Sequence, residues 1–393
     1  MVDFRDTPEE AAFRAEVREF IRQHAPKPEP GASDPFTQQG TREWMKKLAA
    51  KGWIAPAWPK EYGGAGMSVM QQFIFNQELA EARAPRPFGI GVGFAGPTLI
   101  VHGTEEQKKK YLPGILSGDD IWCQGYSEPG AGSDLAALQT RAVRDGDDYI
   151  INGQKIWTSG GHVAKYMILL ARTDPDAPKH RGISYFIVDM KSPGITVRPL
   201  WNMAGTHEFN EVFFEDVRVP RENLIGEENR GWYLAQTTLS FERSNIGAAI
   251  GARQTIEDLI QFAKDHLTDG QSTLAWNTAV RNELAERYVE AGVAQMLSLK
   301  IVSIQAKEGV APGHEASVAK LYGTELNQRI YRTAMKLLGL YGQLDGKSSG
   351  PEVPFRGRIK YMYLRSVANT IEGGTSEIQR NIIATRGLGL PRG

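Results

Sequence analysis

Apolar residues recur at helical spacing near the start of the chain. Four of them repeat every three or four residues, which places them on one face of a helix: Phe13, Val17, Phe20 and Ile21. The preceding TPEE segment favours a helix start, because Thr7 can cap, Pro8 suits the first turn and Glu10 completes a capping box. Thr104 is placed to cap a second helix. The pattern predicts a helical region over roughly the first hundred residues.

The pattern changes near Asp119 to short runs of β-branched and aromatic residues separated by Gly, Pro and Asp. Residues 166–171, 183–189 and 212–219 have the composition of strands. The pair Asn152-Gly153, between residues 149–151 and 155–157, predicts a type I′ hairpin turn. A β domain is therefore expected at about residues 120–228.

Helical periodicity returns after Gly231. Residues 254–307 are expected to hold two long helices divided at 268–270, and residues 316–340 and 375–384 two more. The sequence thus predicts an α+β multidomain protein. Its domains are an N-terminal helical domain (1–119), a middle β-barrel-like domain (120–228) and a C-terminal four-helix bundle (229–393).

Composition narrows the class of protein. A chain of 393 residues is too long for one hydrophobic core. Its 46 basic and 46 acidic residues balance, which gives no support for nucleic acid as a partner. The polar N-terminus lacks the features of a secretion signal. The sequence contains no run of 18 apolar residues, so no transmembrane helix is expected. The single cysteine, Cys123, excludes an internal disulfide and is expected to be a buried apolar residue. We therefore expect a cytoplasmic protein.

Residues 126–134, YSEPGAGSD, are the most informative segment for chemistry. Three small residues allow a backbone to approach a ligand closely, and the hydroxyls and N–H groups could bind a polar group. A surface loop rich in turn-forming residues would have a similar composition. No Gly-x-Gly-x-x-Gly follows a strand, so a Rossmann nucleotide site is not indicated.

Several segments, in order, resemble the acyl-CoA dehydrogenase family, and the resemblance spans nearly the whole chain. They are residues 59–64 (PKEYGG), 103–107 (GTEEQ), 127–134 (SEPGAGSD), 152–160 (NGQKIWTSG), 214–220 (FEDVRVP) and 373–380 (GGTSEIQR). The resemblance implies a flavoprotein oxidoreductase of lipid catabolism. It further implies bound FAD between the β domain and the bundle.

The resemblance also implies roles for individual residues. Ser127 and Ser133 match positions that hydrogen-bond the flavin ring and approach the CoA thioester, and Trp157 matches a tryptophan that packs beside the ring. Ser159 replaces the commoner Thr but keeps a hydroxyl for the flavin N5 edge. Further FAD contacts are expected at Gln124, Tyr126, Gly132, Thr158, Thr375 and Glu377, where Glu377 replaces the commoner Gln.

The implied reaction is α,β-dehydrogenation of an acyl-CoA to the trans-2-enoyl-CoA, with electrons passed to an electron-transferring flavoprotein. A base removes the proton next to the thioester carbonyl, and the flavin accepts hydride from the next carbon. The developing enolate oxygen needs hydrogen bonds. The resemblance assigns these to a backbone N–H, here that of Gly373, and to the ribityl chain of the flavin.

Two glutamates compete for the role of base. Glu372 lies in IEGGT, which looks like the usual family segment, but it falls one residue before the usual base position, occupied here by Gly373. Glu242, in LSFER, matches the position used by a minority of the family that lacks the usual base. Glu242 is therefore favoured and Glu372 is the alternative. Arg243 and Ser133 are expected to bind substrate. The ordinary alternatives are a helix-surface partner of a cation for Glu242 and a solvated loop residue for Glu372.

One departure from the family concerns the FAD phosphates. The family has an Arg-x-x-Phe-Gly segment whose arginine reaches the pyrophosphate in a neighbouring subunit, but here residues 266–270 read HLTDG and no arginine lies between Arg253 and Arg281. Residues 336–342 (KLLGLYG) also depart from the usual adenosine segment. The chain is thus expected to be a homo-oligomer or a hetero-oligomer with a related subunit. A flavin oxidase or oxygenase, or a non-catalytic subunit, are the alternative functions.

Overall fold

The computed structural model describes residues 6–26, 40–87, 89–238, 246–265, 267–268, 271–272, 277–308, 313–346 and 353–391. The chain divides into two compact units. One, here called the helical unit, comprises Met1–Trp44, Met67–Arg86 and Arg243–Gly393. The other, the sheet unit, comprises Met45–Gly66 and Pro87–Glu242. The three domain boundaries expected from the sequence stay a prediction.

The helical unit is built mainly from α-helices. They are Pro8–His24, Val69–Glu81, Ile246–Asp265, Thr278–Glu308, His314–Leu338, Arg358–Asn369 and Ser376–Ile382. Helix Thr41–Ala50 contributes its first residues to this unit and the rest to the sheet unit. Leu259, Ala291 and Ile330 lie in its main core and are fully buried. The predicted capping box is confirmed: Thr7 accepts from Glu10 N, and the Glu10 carboxylate accepts from Thr7 N.

The sheet unit contains a seven-stranded sheet. Its strands are β1 (Trp122–Gly125), β2 (Arg141–Asp145), β3 (Asp148–Lys155), β4 (Tyr166–Arg172), β5 (Ile183–Asp189), β6 (Ile195–Leu200) and β7 (Phe209–Pro220). They pair in the order β1-β4-β2-β3-β7-β6, and β5 pairs with β4. Helices Gly96–His102, Glu105–Ser117 and Gly231–Thr238 complete the unit. Its core includes Tyr149, Phe186 and Val217.

Most strand predictions are confirmed, but the hairpin prediction is wrong. Strand β3 continues through Asn152 and Gly153, and the turn lies between β2 and β3 instead, at Gly146, where φ is +62°. The register shift between Ile151 and Gly153 places one extra residue on β7, where Glu215 and Asp216 lie opposite Asn152, so the bulge is in β7. Side-chain bonds stabilise it: Asn152 Nδ2 donates to Asp216 Oδ1, and Asp216 N donates to Asn152 Oδ1, both at 2.9 Å. Tertiary pairing with β7 therefore overrides the local turn preference.

The helix predictions are confirmed with shifted ends. Residues 254–307 form two helices, Ile246–Asp265 and Thr278–Glu308, and a short strand pair, Leu267–Thr268 with Gln271–Ser272, lies between them. Residues 269–270 of the predicted break lie outside the described residues. Thr104 caps helix Glu105–Ser117, as predicted. Helix Arg358–Asn369 was not among the predictions.

Two expectations from composition can be compared with the described residues. Cys123 is fully buried, as predicted, and burial raises the pKa of its thiol. Within those residues no helix combines the length and apolarity needed to cross a membrane.

The close approach of Gly153 to Thr140 leads to the first prediction. A Cβ at Gly153 would lie 2.7 Å from Thr140 Cα, whereas a Cβ at Gly146 would meet no atom within 4 Å. Gly153→Ala should therefore suffer overpacking, typically about 1–3 kcal/mol, in addition to the backbone strain of about 1–2 kcal/mol that is the only cost of Gly146→Ala. Chemical denaturation should show Gly153→Ala to be the more destabilised variant. Equal losses would contradict the close packing of Gly153 against Thr140.

Candidate active site

The loop after β1 presents small residues at the surface. Glu128 and Ala131 exchange two backbone hydrogen bonds of 3.0 Å, which closes a tight turn. Ala131 is buried beneath the turn, and Gly132 and Ser133 are exposed. The side chain of Tyr126 is buried and its hydroxyl lies 2.6 Å from the Tyr185 hydroxyl. The loop can therefore offer Ser133 and the backbone near Gly132 to a ligand.

A buried ion pair fixes this loop to the end of β3. Lys155 Nζ donates to Glu128 Oε1 at 2.8 Å and to the Tyr126 carbonyl at 3.0 Å, and the Lys155 side chain has no solvent exposure. The second carboxylate oxygen of Glu128 accepts from Gln139 N at 2.6 Å, and the first also accepts from Thr140 N at 2.9 Å. The charged groups thus have several partners, as burial requires.

Both partners of this pair have a shifted pKa. Desolvation lowers the pKa of Lys155 to about 8, although Glu128 attracts its charge. For Glu128, burial alone would raise the pKa, but Lys155 and the hydrogen bonds from residues 139 and 140 outweigh burial and lower it. We infer that both groups are ionised at neutral pH, because a deprotonated lysine would leave an unpaired carboxylate in the interior.

The segment that follows β3 presents two side chains outward. Ile156 N donates to the Ser127 carbonyl at 2.9 Å, so the segment starts beside the loop. Trp157 has a left-handed φ of +60° and is 56% exposed, and Ser159 is exposed as well. Thr158, between them, is fully buried. Trp157 and Ser159 are thus available to a flat ring with polar edges, whereas the Thr158 side chain is directed inward.

Two polar atoms near these segments lack a partner within the described residues. Gln124 Nε2 and Thr158 Oγ1 are buried and form no hydrogen bond there. Buried polar groups are almost always hydrogen-bonded. Gln124 lies on β1 immediately before the loop, so its free donor suits a ligand that carries hydrogen-bond acceptors. These positions fit the FAD contacts expected from the sequence, which stay a prediction.

In the helical unit, the turn that contains Gly373 requires glycine. Gly373 and Gly374 have φ values of +63° and +91°, which side chains rarely adopt. Lys320 Nζ donates to the Gly374 carbonyl at 2.6 Å and to the Asn369 carbonyl at 3.1 Å. Desolvation lowers the pKa of Lys320. The Gly373 N–H has no acceptor in the described part of the chain, so it could donate to a ligand oxygen.

Glu372 is held in place by its neighbours. Its carboxylate accepts from Arg365 at 3.1 and 3.3 Å and from Asn369 Nδ2 at 2.7 Å. The carboxylate is thus already occupied by a guanidinium and an amide of its own unit. The geometry favours a structural role for Glu372. Glu242 and Arg243 lie outside the described residues.

Thr375 caps helix Ser376–Ile382, since its Oγ1 accepts from Ile378 N at 3.2 Å. Glu377 is exposed in the first turn. A cleft of about 450 Å³ adjoins this turn and is lined by Glu325, Gln328, Arg329, Arg332, Thr370, Ile371, Ser376, Glu377 and Arg380. Arg329 and Arg380 are paired with acidic residues. Arg332 forms no ion pair with any described residue, so it could attract an anionic group.

Sequence reasoning missed the residues that hold the site together. The sequence alone assigned no role to Lys155, Glu128 or Lys320. One signal was available: Lys155 falls on the same face of β3 as Tyr149 and Ile151, because alternate residues of a strand share a face. A charged residue on an apolar strand face predicts a buried partner.

Comparison with known proteins identifies the family. Three family models match in order: acyl-CoA dehydrogenase N-terminal domain over residues 7–119, middle domain over 123–217 and C-terminal domain over 229–388. The chain is 39% identical over 396 residues to acyl-CoA dehydrogenase FadE26 of Mycobacterium tuberculosis, covering 98% of each chain. The chain belongs to the acyl-CoA dehydrogenase family.

Solved structures agree with this assignment. The chain is similar to a structure described as the Tcur3481-Tcur3483 steroid ACAD, with a TM-score of 0.87, 38% identity and full coverage of both chains. It is also similar to a chain of the ChsE4-ChsE5 complex from Mycobacterium tuberculosis, with a TM-score of 0.85, 38% identity and full coverage of both chains. The predicted α+β fold class is therefore confirmed.

The buried ion pair leads to the second prediction. Glu128→Gln or Lys155→Met alone leaves one charge buried without its partner, which typically costs about 3–5 kcal/mol. The double variant removes both charges and should be less destabilised than the sum of the two single variants. Urea denaturation of the four proteins measures this coupling.

The exposed pair Lys179–Asp134, with an Nζ to Oδ2 distance of 2.8 Å, is a matched control from the same loop. Lys179→Met should change the free energy of unfolding by less than about 1 kcal/mol. Additive losses at Glu128 and Lys155 would show that the two charges do not depend on each other.

Proposed function

We propose that the protein catalyses FAD-dependent α,β-dehydrogenation of an acyl-CoA thioester to the trans-2-enoyl-CoA and passes electrons to an electron-transferring flavoprotein. One observation carries the proposal. In this chain, which belongs to the acyl-CoA dehydrogenase family, the exposed Trp157 and Ser159 lie beside a loop of small residues that a buried ion pair fixes in place. Such preorganisation suits binding of a rigid ring.

The chain's residues fit this cofactor. Bound FAD supplies the hydride acceptor. Trp157 offers an apolar ring for stacking, Ser159 offers a hydroxyl, and the buried Gln124 Nε2 needs an acceptor. Ser127, Ser133 and the backbone of Gly132 would hold polar edges of the ring. Thr375 and Glu377 would contact the cofactor from the N-terminus of helix Ser376–Ile382. Tyr126 and Thr158 would contact it through their backbone groups.

The remaining chemistry concerns the substrate. Glu242 would remove the proton next to the thioester carbonyl, and the Gly373 N–H would donate to the carbonyl oxygen as negative charge develops there. Glu372 is the alternative base, and its carboxylate would have to leave Arg365 and Asn369 to reach a substrate. Ser133 and Arg243 would bind the substrate. We propose a CoA thioester with a steroid-derived acyl group, because a similar structure at 38% identity is described as a steroid ACAD.

We further propose that this chain works with a related subunit. The segment that should carry an arginine for the FAD pyrophosphate reads HLTDG at residues 266–270. Arginine suits a diphosphate because its planar fork makes paired charge-assisted hydrogen bonds. Two similar structures are described by paired names, ChsE4-ChsE5 and Tcur3481-Tcur3483. In a homo-oligomer, Lys264, His266, Arg281 or Arg332 would have to neutralise the phosphates.

The third prediction concerns the cofactor. The active protein should show the visible spectrum of FAD, and anaerobic addition of a suitable acyl-CoA should bleach it. A panel that includes straight, branched and steroid acyl-CoA thioesters tests the substrate class. A protein that stays colourless with FAD and a related subunit present would disprove the proposal. Rapid peroxide formation without reduction of an artificial acceptor would favour an oxidase.

The fourth prediction concerns the base. Positioned bases contribute about 10² to 10⁴-fold, so Glu242→Gln should lose at least about 100-fold in the rate of flavin reduction. Substrate-analogue binding, followed by the flavin spectrum, should be retained. Glu372→Gln is the matched control and should lose far less. The opposite ranking would assign the base to Glu372.

The fifth prediction concerns stoichiometry. The missing charge-assisted bond should cost about 1.5–3 kcal/mol, or roughly ten- to a hundredfold in FAD affinity. The chain purified alone should therefore be poor in flavin, and co-expression with a related subunit that retains the arginine should give one FAD per pair. His266→Arg or Thr268→Arg should partly restore FAD retention by the lone chain. One tight FAD per subunit in a fully active homo-oligomer would exclude the hetero-oligomer.

A further inference from the structure

A single residue holds both backbone groups of Thr158. Thr158 N donates to the Asn210 carbonyl at 3.0 Å, and Asn210 Nδ2 donates to the Thr158 carbonyl at 3.0 Å. Asn210 is fully buried. Gly160 N also donates to the Glu208 carbonyl at 3.0 Å. The segment after β3 is thereby attached to the start of β7 at the residue between Trp157 and Ser159.

The Thr158 carbonyl decides which way the Asn210 amide points, and two histidines bond the amide in that orientation. Nδ2 lies 3.2 Å from His162 Nδ1, and Oδ1 lies 2.8 Å from His207 Nε2. A flipped amide would place its oxygen against the Thr158 carbonyl, so two acceptors would face each other. The network is satisfied when His162 Nδ1 accepts and His207 Nε2 donates. Every donor and the acceptor of the amide then have a partner.

The histidines support each other. Their rings stack with centroids 4.1 Å apart and an angle of 26°, and Trp201 lies 5.6 Å from His207. Desolvation, together with the neighbouring His207, lowers the pKa of His162. This shift favours the neutral ring, which is the form that can accept from Asn210.

We infer that Asn210, oriented by His162 and His207, is a positioning residue for the segment that presents Trp157 and Ser159. A non-glycine residue with a left-handed φ, such as Trp157, persists only where its surroundings hold it. Asn210 supplies that restraint by bonding Thr158, the residue that follows Trp157. The inference rests on the proposed flavin contacts of Trp157 and Ser159, but the restraint itself does not require a flavin.

Asn210→Leu removes the amide at similar volume. In the full-length protein, amide hydrogen exchange of a peptide covering residues 156–163 should accelerate at least about tenfold, with or without FAD, while a peptide from β4 should be unchanged. The FAD dissociation constant should rise about tenfold, because displacement of the segment should weaken one or two hydrogen bonds to the cofactor. Asn152→Leu is the matched control, since it removes a bonded asparagine from the same sheet and should alter neither readout.

If Asn210→Leu does not fold, variants of His207 test the inference instead. His207→Phe keeps a stacked ring without the donor and should accelerate exchange of the 156–163 peptide several-fold, whereas His207→Gln keeps a donor and should resemble the unmodified protein. The inference would be overturned if Asn210→Leu changed neither the hydrogen exchange nor the FAD affinity. It would also be overturned if the two His207 variants gave equal values. If the protein binds no FAD even with a related subunit present, faster exchange in Asn210→Leu would keep the restraint and reject the proposed function.

Discussion

The candidate site depends on the ion pair between Lys155 and Glu128. A lysine without solvent exposure is stable only if its ammonium has partners at hydrogen-bond distance, and this requirement fixes the distance between β3 and the loop after β1. The Tyr126 carbonyl and two backbone N–H groups complete the set of partners. The exposed residues of both segments are consequently presented from fixed backbone positions.

The helical unit uses the same device. Lys320 is half-buried, and its ammonium binds two backbone carbonyls, those of Asn369 and Gly374. A lysine ammonium carries three donors on a compact charge, so it can join carbonyls from separate turns without needing planar geometry. The turn with two left-handed glycines is held in this way, while its Gly373 N–H stays available. Each unit thus stabilises its own irregular segment with a lysine.

The structure also separates the roles of the acidic residues. Glu128 and Glu372 are both engaged by cations and hydrogen bonds, which favours structural roles for both. The exposed Glu377 lies in the first turn of its helix, where the helix dipole favours negative charge. Glu242 therefore stays the proposed base and Glu372 the alternative. Membership of the acyl-CoA dehydrogenase family does not decide this point, because members differ in where the base lies.

The sequence by itself determined the elements whose pattern is local. Hydrophobic spacing, the Thr7 and Thr104 caps and the β-rich runs predicted helices and strands correctly, since propensity and burial agree there. The ordered segments also identified the family. Only the tertiary structure turned Asn152-Gly153 from a predicted turn into continuous strand opposite a bulge in β7, because pairing with β7 outweighs local preference. It alone joined Lys155 to Glu128 and Asn210 to Thr158, since partners 27 and 52 residues apart are brought together by sheet register, which sequence spacing does not encode.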